Sequence, residues 1–286
     1  GPVTGGGNAM WNMTMCNGGT VPLSGSDLTL ANALVVNSAS TLTIASGRTL
    51  THTASTLNNN GTINGSGLLT FTSTSSGPGT TGTRSVPVRF DASSANIPST
   101  TFDARTYGGA VTLYANNGSA RSITAAAGGY TFSSTFDTSA GGAGVITANL
   151  SAATGTTTVT GNFTIGATTA VTAPATLSLG ANFTNNNTFT HNSGLVQFTT
   201  NGNSTISGST TFNNLTITDT VAKTVSFVHA MTKTVSGNWT VTGAAAQLVT
   251  LTCDNTSAWN GNLKTASVVN DEVSSSMHTG QSTGVS

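Results

Sequence analysis

The sequence predicts an all-β protein, a parallel β-helix (β-solenoid) of roughly nine coils with an N-terminal extension strand. Apolar-alternating segments three to five residues long are separated by clusters of Asn, Gly and Ser. Such segments are too short for helices but suit strands. Segment 59–73 aligns with 186–200 after one inserted residue, and 158–168 aligns with 234–244. Offsets as different as about 127 and 76 residues favour stacked coils over tandem sandwich domains.

The spacers between these segments fit the corners of a solenoid. They are two to five residues long, which suits turns rather than crossover connections. We expect the Asn runs at 58–60 and 185–187 to form corners in the left-handed conformation, with stacked Asn ladders. At ~4.8 Å per coil the rod would be roughly 40–45 Å long, with Thr on its faces and aliphatic and Phe side chains inside.

The composition excludes several classes of partner. Only 6% of the 286 residues are charged, eight of each sign. A nucleic-acid partner is not expected, because binding it requires a basic surface, and nothing indicates attraction to an anionic membrane. No apolar run approaches the ~18 residues of a membrane-spanning helix. Helix formers are scarce, with Glu272 the only glutamate, whereas Thr, Asn and Gly suit strands and turns.

Three parts are predicted along the chain. Residues 1–20 form an extension or docking strand, 21–270 the solenoid, and 271–286 a polar tail. Within the solenoid, 74–109 is predicted to be a longer loop or lateral excursion, since it holds three of the six prolines and five of the sixteen charges. The chain begins directly in polar sequence, so we expect that a leader has been removed or that the chain is a fragment.

Residues 10–16 alternate in a way that indicates a strand with two different faces. One face is expected to carry Trp11, Met13 and Met15, and the other Met10, Asn12, Thr14 and Cys16. The strand could cap the first coil and cover its apolar end. Alternatively, it could be a docking strand that joins the sheet of another subunit, with Trp and Met side chains as anchors.

The two cysteines, Cys16 and Cys253, lie near opposite ends of the chain. Two are too few for a disulfide scaffold, and their spacing excludes a zinc motif. In stacked coils they would be roughly 35–40 Å apart, against the ~7 Å limit for a disulfide. An internal bond would require the leader to run back along the rod. A bond between Cys16 of one subunit and Cys253 of the next would require a head-to-tail filament, and two free thiols are the alternative.

Few side chains suggest chemistry. The one charged cluster that could serve polysaccharide cleavage comprises Arg84, Arg89, Asp91, Asp103 and Arg105. We favour a structural role, in which each Asp after Phe begins an Asx turn and the arginines pair with Asp in adjacent coils. Four histidines are isolated, each in a setting typical of an exposed strand or tail: His52, His191, His229 and His278. We therefore expect no enzyme, cofactor or metal site.

Thr-x-Thr pairs, such as Thr41 with Thr43 and Thr49 with Thr51, suggest an ice-binding face. Such a face needs the pair at the same place in every coil, and the spacings along the sequence vary. Thr at ordinary outward strand positions is the favoured interpretation.

Residues 109–270 resemble the low-complexity repeats of large bacterial cell-surface β-helix proteins, which are adhesin-like. The resemblance lies in phrases such as FTNNNTFTHNSGLVQFTT, STISGSTTFNNLTIT and TVSGNWTVTGAAAQLVTLTCDNTSAWN, ending in TASVVNDEVSSS. It covers somewhat more than half of the chain and is one of style rather than of exact motifs. It implies a right-handed parallel β-helix exported to the cell surface, and it carries over no catalytic residues.

Three functions remain as hypotheses. The first is a structural extracellular subunit that self-assembles head to tail into a surface filament or layer. Its interface would be formed by Met10, Trp11, Met13, Met15 and Cys16 at one end and the region of Cys253 at the other. The second is an adhesin whose rod presents 74–109 to surface glycans, and the third is a polysaccharide-degrading enzyme.

Overall fold

A computed structural model describes most of the chain. The described residues are 9–16, 18–53, 57–72, 82–93, 99–116, 118, 120–138, 144–244, 247–253, 261–263 and 266–268. They form a parallel β-solenoid of about ten turns, which confirms the predicted fold class and slightly exceeds the expected number of coils. No helix occurs among them. The right-handed coil stays a prediction, and the tail at 271–286 lies outside these residues.

Three faces run along the solenoid, and over residues 83–263 each turn contributes one strand to each face. Face I is a sheet with β6 paired to β3 beside its main path: β1 (Ala9–Met15), β3 (Leu28–Val36), β5 (Thr49–His52), β6 (Leu57–Asn59), β8 (Leu68–Phe71), β10 (Val88–Asp91), β13 (Val111–Tyr114), β16 (Phe136–Asp137), β19 (Phe163–Ile165), β22 (Phe183–Asn185), β25 (Ser204–Ser207), β28 (Lys223–Phe227) and β31 (Val249–Cys253). Neighbouring strands on this face pair in parallel.

Face II is divided between two sheets. The first contains β11 (Ser99–Phe102), β14 (Ala120–Ala125), β17 (Val145–Asn149), β20 (Thr169–Thr172) and β23 (Thr188–Thr190). The second contains β26 (Thr210–Phe212), β29 (Lys233–Val235) and β32 (Gly261–Leu263). The described strands β23 and β26 are neighbours along the rod but share no backbone ladder, so the face is interrupted there.

Face III is a continuous sheet of twelve strands: β2 (Thr20–Leu23), β4 (Thr41–Ile44), β7 (Thr62–Gly65), β9 (Thr83–Arg84), β12 (Thr106–Tyr107), β15 (Thr131–Phe132), β18 (Thr156–Val159), β21 (Thr176–Leu179), β24 (Leu195–Phe198), β27 (Asn214–Thr218), β30 (Trp239–Thr242) and β33 (Ala266–Val268). Alternate residues of a strand point inward and outward, so the four successive residues of β4 are half-buried, buried, half-buried and buried.

The core is a set of columns in which each turn stacks its inward side chain on that of the turn before. On face I, Phe136, Phe163 and Phe183 are register partners in successive turns. The ring centroids of Phe136 and Phe163 are 5.3 Å apart, and those of Phe163 and Phe183 are 5.7 Å apart, with nearly parallel planes. Such stacking adds to the free energy that burial of the rings already contributes. The buried side chains therefore form one continuous hydrophobic core along the rod.

The corners differ from expectation at the Asn runs. Positive φ angles at residues other than glycine occur at Ala39, Asn192, Ser193 and Ala230, so the prediction of left-handed corners at 58–60 and 185–187 is wrong. Instead, the middle or first Asn of each run points inward. Asn59 and Asn185 are buried, and each donates its side-chain amide to a backbone carbonyl of the next turn, of Thr83 (3.1 Å) and Ser209 (3.0 Å). Each side-chain amide thereby supplies a hydrogen-bond donor to a backbone carbonyl group at a corner.

The predicted excursion at 74–109 is largely part of the stack. Residues 82–93 and 99–109 contribute β9, β10 and β12, each in register with the turns on either side, and β11, which pairs with β14 of the following turn. The prediction is therefore corrected for these residues, while 74–81 and 94–98 lie outside the described part. Proline and charge are compatible with the solenoid here because Arg84 and Pro87 sit at a strand end and a corner.

Candidate functional site

The N-terminal end of the rod is a turn whose strands are paired on one side only. β1 pairs in parallel with β3, and β2 pairs with β4. In the part of the chain that is described, no strand pairs with their other edges. The extension predicted at 1–20 is thus, over its described residues, the first turn of the solenoid. An edge of this kind exposes a row of backbone N–H and C=O groups that can pair with a further strand.

A bulge decides which β1 side chains face the interior. Met10 pairs with Leu30 and Asn12 with Ala33, so β3 has one more residue than β1 between these points. Beyond the bulge, Met13 pairs with Leu34 and Met15 with Val36, both buried positions. All three methionines therefore stack on interior positions, whereas Trp11 is 69% exposed. The prediction that Trp11 shares a face with Met13 and Met15 is wrong, because a bulge has no clear signal in the sequence.

The open end forms a shallow apolar depression of about 390 Å³. Its lining residues are Met10, Asn12, Met13, Thr14, Met15, Cys16, Gly19 and Val21. None of them is charged, and Met10 is 38% exposed even though its register position is an interior one. In the middle of the rod such a position would be covered by the next turn. The end therefore has the surface that the core of a solenoid would show if it were cut between two turns.

The C-terminal described turn consists of β31, β32 and β33, which pair with β28, β29 and β30. Cys253 ends β31, and its register partner is Phe227. Cys16 lies at the other end of the rod, at the corner after β1, where its exposed thiol accepts a hydrogen bond from the Asn37 side-chain amide (3.7 Å). Cys16 is a free thiol, and the bond between subunits stays a prediction.

The charged cluster predicted from the sequence comes together in part. Arg84 occupies an inward position of face III, in register between Ile63 and Tyr107. Its Nη1 donates to Asp103 Oδ1 at 3.1 Å. Arg105 Nε donates to the other carboxylate oxygen, and the Tyr107 hydroxyl donates to Oδ1 at 2.9 Å. Arg84 and Tyr107 are fully buried, and Asp103 is 7% exposed.

The electrostatics of this cluster stabilise the ionised carboxylate. Burial alone would raise the pKa of Asp103, but Arg84, Arg105 and the Tyr107 hydroxyl together hold it below its ordinary value. Burial lowers the pKa of Arg84, which the attraction of Asp103 opposes, and a guanidinium remains charged throughout the working pH range. Burial raises the pKa of Tyr107 well above its ordinary value, and the neighbouring Asp103 raises it further. The cluster is an ion-pair network buried inside the rod.

The remaining two members of the predicted cluster lie elsewhere. The Arg89 guanidinium stacks on the Tyr114 ring, 4.9 Å from its centroid. Asp91 Oδ1 accepts a hydrogen bond from the backbone N–H of Ser93, which is the expected Asx turn. The predicted pairing of arginine with Asp in the adjacent coil is found for Arg84 and Asp103. An open cleft with converging carboxylates, as glycan cleavage would need, is not formed by these five side chains.

The histidines are isolated, but one is not exposed. His52 is fully buried on face I, where its ring meets the edge of Phe71 with centroids 5.8 Å apart. The prediction of an exposed position is wrong for His52, because the strand register places it in the column of Leu30 and Phe71. His278 lies outside the described residues. Among the residues that are described, no three His, Cys, Asp or Glu side chains are placed to hold a metal ion.

Two buried lysines were not anticipated from the sequence. Lys223 Nζ donates to the Thr200 carbonyl at 2.8 Å and lies 3.9 Å from Asp219 Oδ2. Lys233 Nζ donates to the Val228 carbonyl at 2.7 Å. Burial lowers the pKa of Lys223, and Asp219 partly offsets this. Both lysines begin a strand and satisfy corner carbonyls. No residue pattern around them distinguishes such a role from an exposed lysine.

A column of hydroxyl side chains on face III was also missed. One register position is Thr in nine of twelve turns and Ser in two more: Thr20, Thr41, Thr62, Thr83, Thr106, Thr131, Thr158, Ser178, Gln197, Thr216, Thr240 and Ser267. The chain interval between neighbours varies from 19 residues (Ser178 to Gln197) to 27 (Thr131 to Thr158), because the corners absorb the difference. The variable sequence spacing therefore hid a regular column. Thr beside Thr stabilises adjacent strands.

Comparisons with protein-family models, with curated proteins and with solved structures gave no match to this chain. Over the residues described above, no helix is long and apolar enough to cross a bilayer. The established result is the β-solenoid fold, and any function must be argued from the geometry of the rod and its ends.

Proposed function

We propose that the chain is a structural subunit, without catalytic activity, whose rods join head to tail into an extracellular filament or layer. The observation that carries the proposal is the N-terminal turn, whose outer parallel edges pair with no other described strand and surround an uncharged apolar depression. A parallel turn from a second copy would satisfy the edge N–H and C=O groups and cover Met10, which is 38% exposed, together with the small exposed parts of Met13 and Met15. The contact is heterologous, so it propagates.

The cell-surface location is a further part of the proposal. It rests on the resemblance of 109–270 to the repeats of bacterial cell-surface, adhesin-like β-helix proteins. A rod with only 6% charged residues presents mostly Thr, Ser and Asn to its surroundings. The ion pairs among its described residues are buried, where salt screens them little, which suits a structure exposed to variable salt: Arg84–Asp103, Arg105–Asp103 and Lys223–Asp219.

The test is a charge placed at the end of the rod. Met10→Lys would bury an ammonium group at each junction, and we expect the assembled fraction to fall roughly tenfold or more. Met231→Lys is the matched control, because Met231 is 39% exposed, as Met10 is 38% exposed, but lies on the side of the rod. Sedimentation and negative-stain electron microscopy measure assembly, and circular dichroism checks the fold. A wild-type protein that stays monomeric at high concentration would contradict the proposal.

A second candidate, glycan binding, is favoured by a surface other than the one predicted at 74–109. Where face II is interrupted, a shallow groove of about 280 Å³ is lined by Asn185, Asn187, Thr188, Phe189, Ser209, Thr210, Thr211, Thr232 and Thr234. Its lining is uncharged, combining amide and hydroxyl groups with one aromatic ring, which suits a neutral sugar.

Titration with neutral hexasaccharides of glucose, mannose and N-acetylglucosamine tests this second candidate. Binding to any of them should weaken at least tenfold in Asn187→Ala, because a groove amide is lost. Asn213→Ala, whose amide instead bonds the Ser193 carbonyl at a corner, is the control. Equal binding by both variants would place the sugar elsewhere.

A further inference from the structure

We infer that the head-to-tail junction continues the turns in register, with Ser267 of one copy beside Thr20 of the next, and that Cys16 and Cys253 do not bond across it. The inference rests on the proposed assembly and specifies its geometry. It replaces the disulfide-linked filament by a junction held by backbone pairing and apolar packing.

Face III supplies the register. One line of backbone register partners runs along the face from Thr20 to Ser267. The neighbouring line runs from Val21 to Val268, and no pairing between described strands of this face slips by a residue: Val21, Leu42, Ile63, Arg84, Tyr107, Phe132, Val159, Leu179, Phe198, Ile217, Val241 and Val268. The two ends of the face thus carry the same alternation.

That alternation restricts how two copies can meet. If β33 of one copy lies beside β2 of the next in register, Val268 continues the column of Val21 and Ser267 that of Thr20. A slip of one residue would place a hydroxyl side chain over the apolar interior and a valine outside. The register that repeats along each rod is therefore also the favourable register between rods.

The same register separates the cysteines. Cys253 belongs to face I, where its register partner Phe227 continues the column of Ile206 and Phe183. Followed along face I, this column reaches Leu28, the residue before Thr29, which is the register partner of Ala9. Cys16 lies seven residues beyond Ala9, after the end of β1. In an in-register junction the length of β1 therefore separates the two thiols, and seven strand residues span roughly 20 Å, beyond the ~7 Å that a disulfide allows.

Engineered cysteines test the register directly. On a Cys16→Ser, Cys253→Ser background, Thr20→Cys with Ser267→Cys would place the new thiols on adjacent strands. Their Cα atoms would be ~4.8 Å apart, within disulfide range. Oxidation of assembled protein should then give a reducible ladder of multimers on non-reducing gels. Thr20→Cys with Asn262→Cys is the matched control, because β32 lies on face II, and it should give no ladder.

The outcomes separate this inference from the proposed assembly. A ladder from the Thr20–Ser267 pair alone supports the in-register junction. Filaments that form without that ladder, a ladder from the control pair, or a native ladder lost in Cys16→Ser would each overturn the register while leaving head-to-tail assembly intact. Absence of filaments by electron microscopy in every variant, including the wild type, would instead overturn the assembly itself.

Discussion

Arg84 is the largest side chain fully buried in the described rod, and it lies in a column otherwise occupied by Ile63, Tyr107 and their apolar neighbours. Its guanidinium lies 5.3 Å from the centroid of the Phe71 ring. Removing a charge from water is costly unless a partner of opposite sign is close. Asp103 is that partner for Arg84 and for Arg105 as well.

Removal of this carboxylate should be strongly destabilising. Asp103→Asn leaves two buried guanidinium groups without a counter-ion, and we expect the free energy of unfolding to fall by about 3–5 kcal/mol. Chemical unfolding measures the change. Asp91→Asn is the control, because Asp91 accepts a local Asx-turn hydrogen bond that the Asn Oδ1 can accept as well, so this change should cost less than ~1 kcal/mol. If the free energy of unfolding fell equally in the two variants, the buried ion pairs would contribute no more to stability than the Asx turn does.

The Asp103 carboxylate should also make the free energy of unfolding depend on pH in the acid range. The pKa of Asp103 is held below its ordinary value of 3.8, so the stability it contributes is fully present above that value. It is lost as pH falls through the lower pKa of the folded state. Asp103→Asn should lack this acid-dependent loss, which unfolding measurements between neutral pH and strong acid would detect. An identical pH profile in wild type and variant would contradict the assignment.

At the residue scale the sequence indicates which charges are candidates but not which of them meet. Arg84, Asp103 and Arg105 are brought together by strand register, whereas Arg89 belongs to a different face. His52 is buried for the same reason. Register depends on the length of every corner, and the sequence does not state where each corner begins. The pairing of side chains from different turns therefore could not be predicted.

At the scale of the element, the corners hold the turns at their close spacing. At Gly208, φ is 87°, and a Cβ atom would lie 1.7 Å from the Asn185 carbonyl oxygen of the preceding turn. At Gly47, φ is 69°, and nothing lies within 4 Å of such an atom. Both positions favour glycine because of their φ angle, but only Gly208 also lacks space.

These two glycines form a matched test of corner packing. Gly47→Ala should cost about 1–2 kcal/mol for its left-handed backbone alone. Gly208→Ala should cost at least ~1–3 kcal/mol more, because the added methyl group forces the turns apart. Thermal and chemical unfolding measure both. If Gly208→Ala were no worse than Gly47→Ala, the corner would have room to relax.

The strands themselves were largely predictable, because period-2 alternation with Thr outside and Leu, Val, Ile or Phe inside is a local signal. β4 and β24 show it clearly, since each alternates half-buried and buried residues. β1 shows where the local signal ends. Its alternation was visible, but the bulge that 31 and 32 of β3 form opposite Trp11 places Met10 at an interior position and leaves Trp11 outside.

At the scale of the whole molecule, the chain is a repeat whose turns are interchangeable. Ser178 is the register partner of Gln197, so removal of residues 178–196 would delete one complete turn and join Leu177 to Gln197 in phase. The shortened rod should keep its β circular dichroism and unfold cooperatively. Removal of 178–187 deletes only part of a turn and should unfold the protein or expose its core to a hydrophobic dye. Similar behaviour of both deletions would argue against the register.

The architecture could be predicted because repeats recur at unequal offsets, as 59–73 and 158–168 show. The apolar strand at the N-terminal end of the rod could be located at residues 10–16, since alternation and methionine content set them apart. The hydroxyl column of face III could not be found, because the intervals along the chain are irregular while those in space are regular.

The interruption of face II gives the rod an uneven resistance to bending. Faces I and III carry backbone ladders past β22 to β25 and β24 to β27, whereas face II has none between β23 and β26. If the rod bends so that β23 and β26 move apart, no backbone ladder between these two strands resists the motion. The contacts that are stretched are side-chain contacts, such as the hydrogen bonds from the Asn185 amide to Ser209 and Thr210. In a filament of such rods, each subunit would bend most easily at this level. The rotation between successive subunits would set the direction in which each of these sites bends.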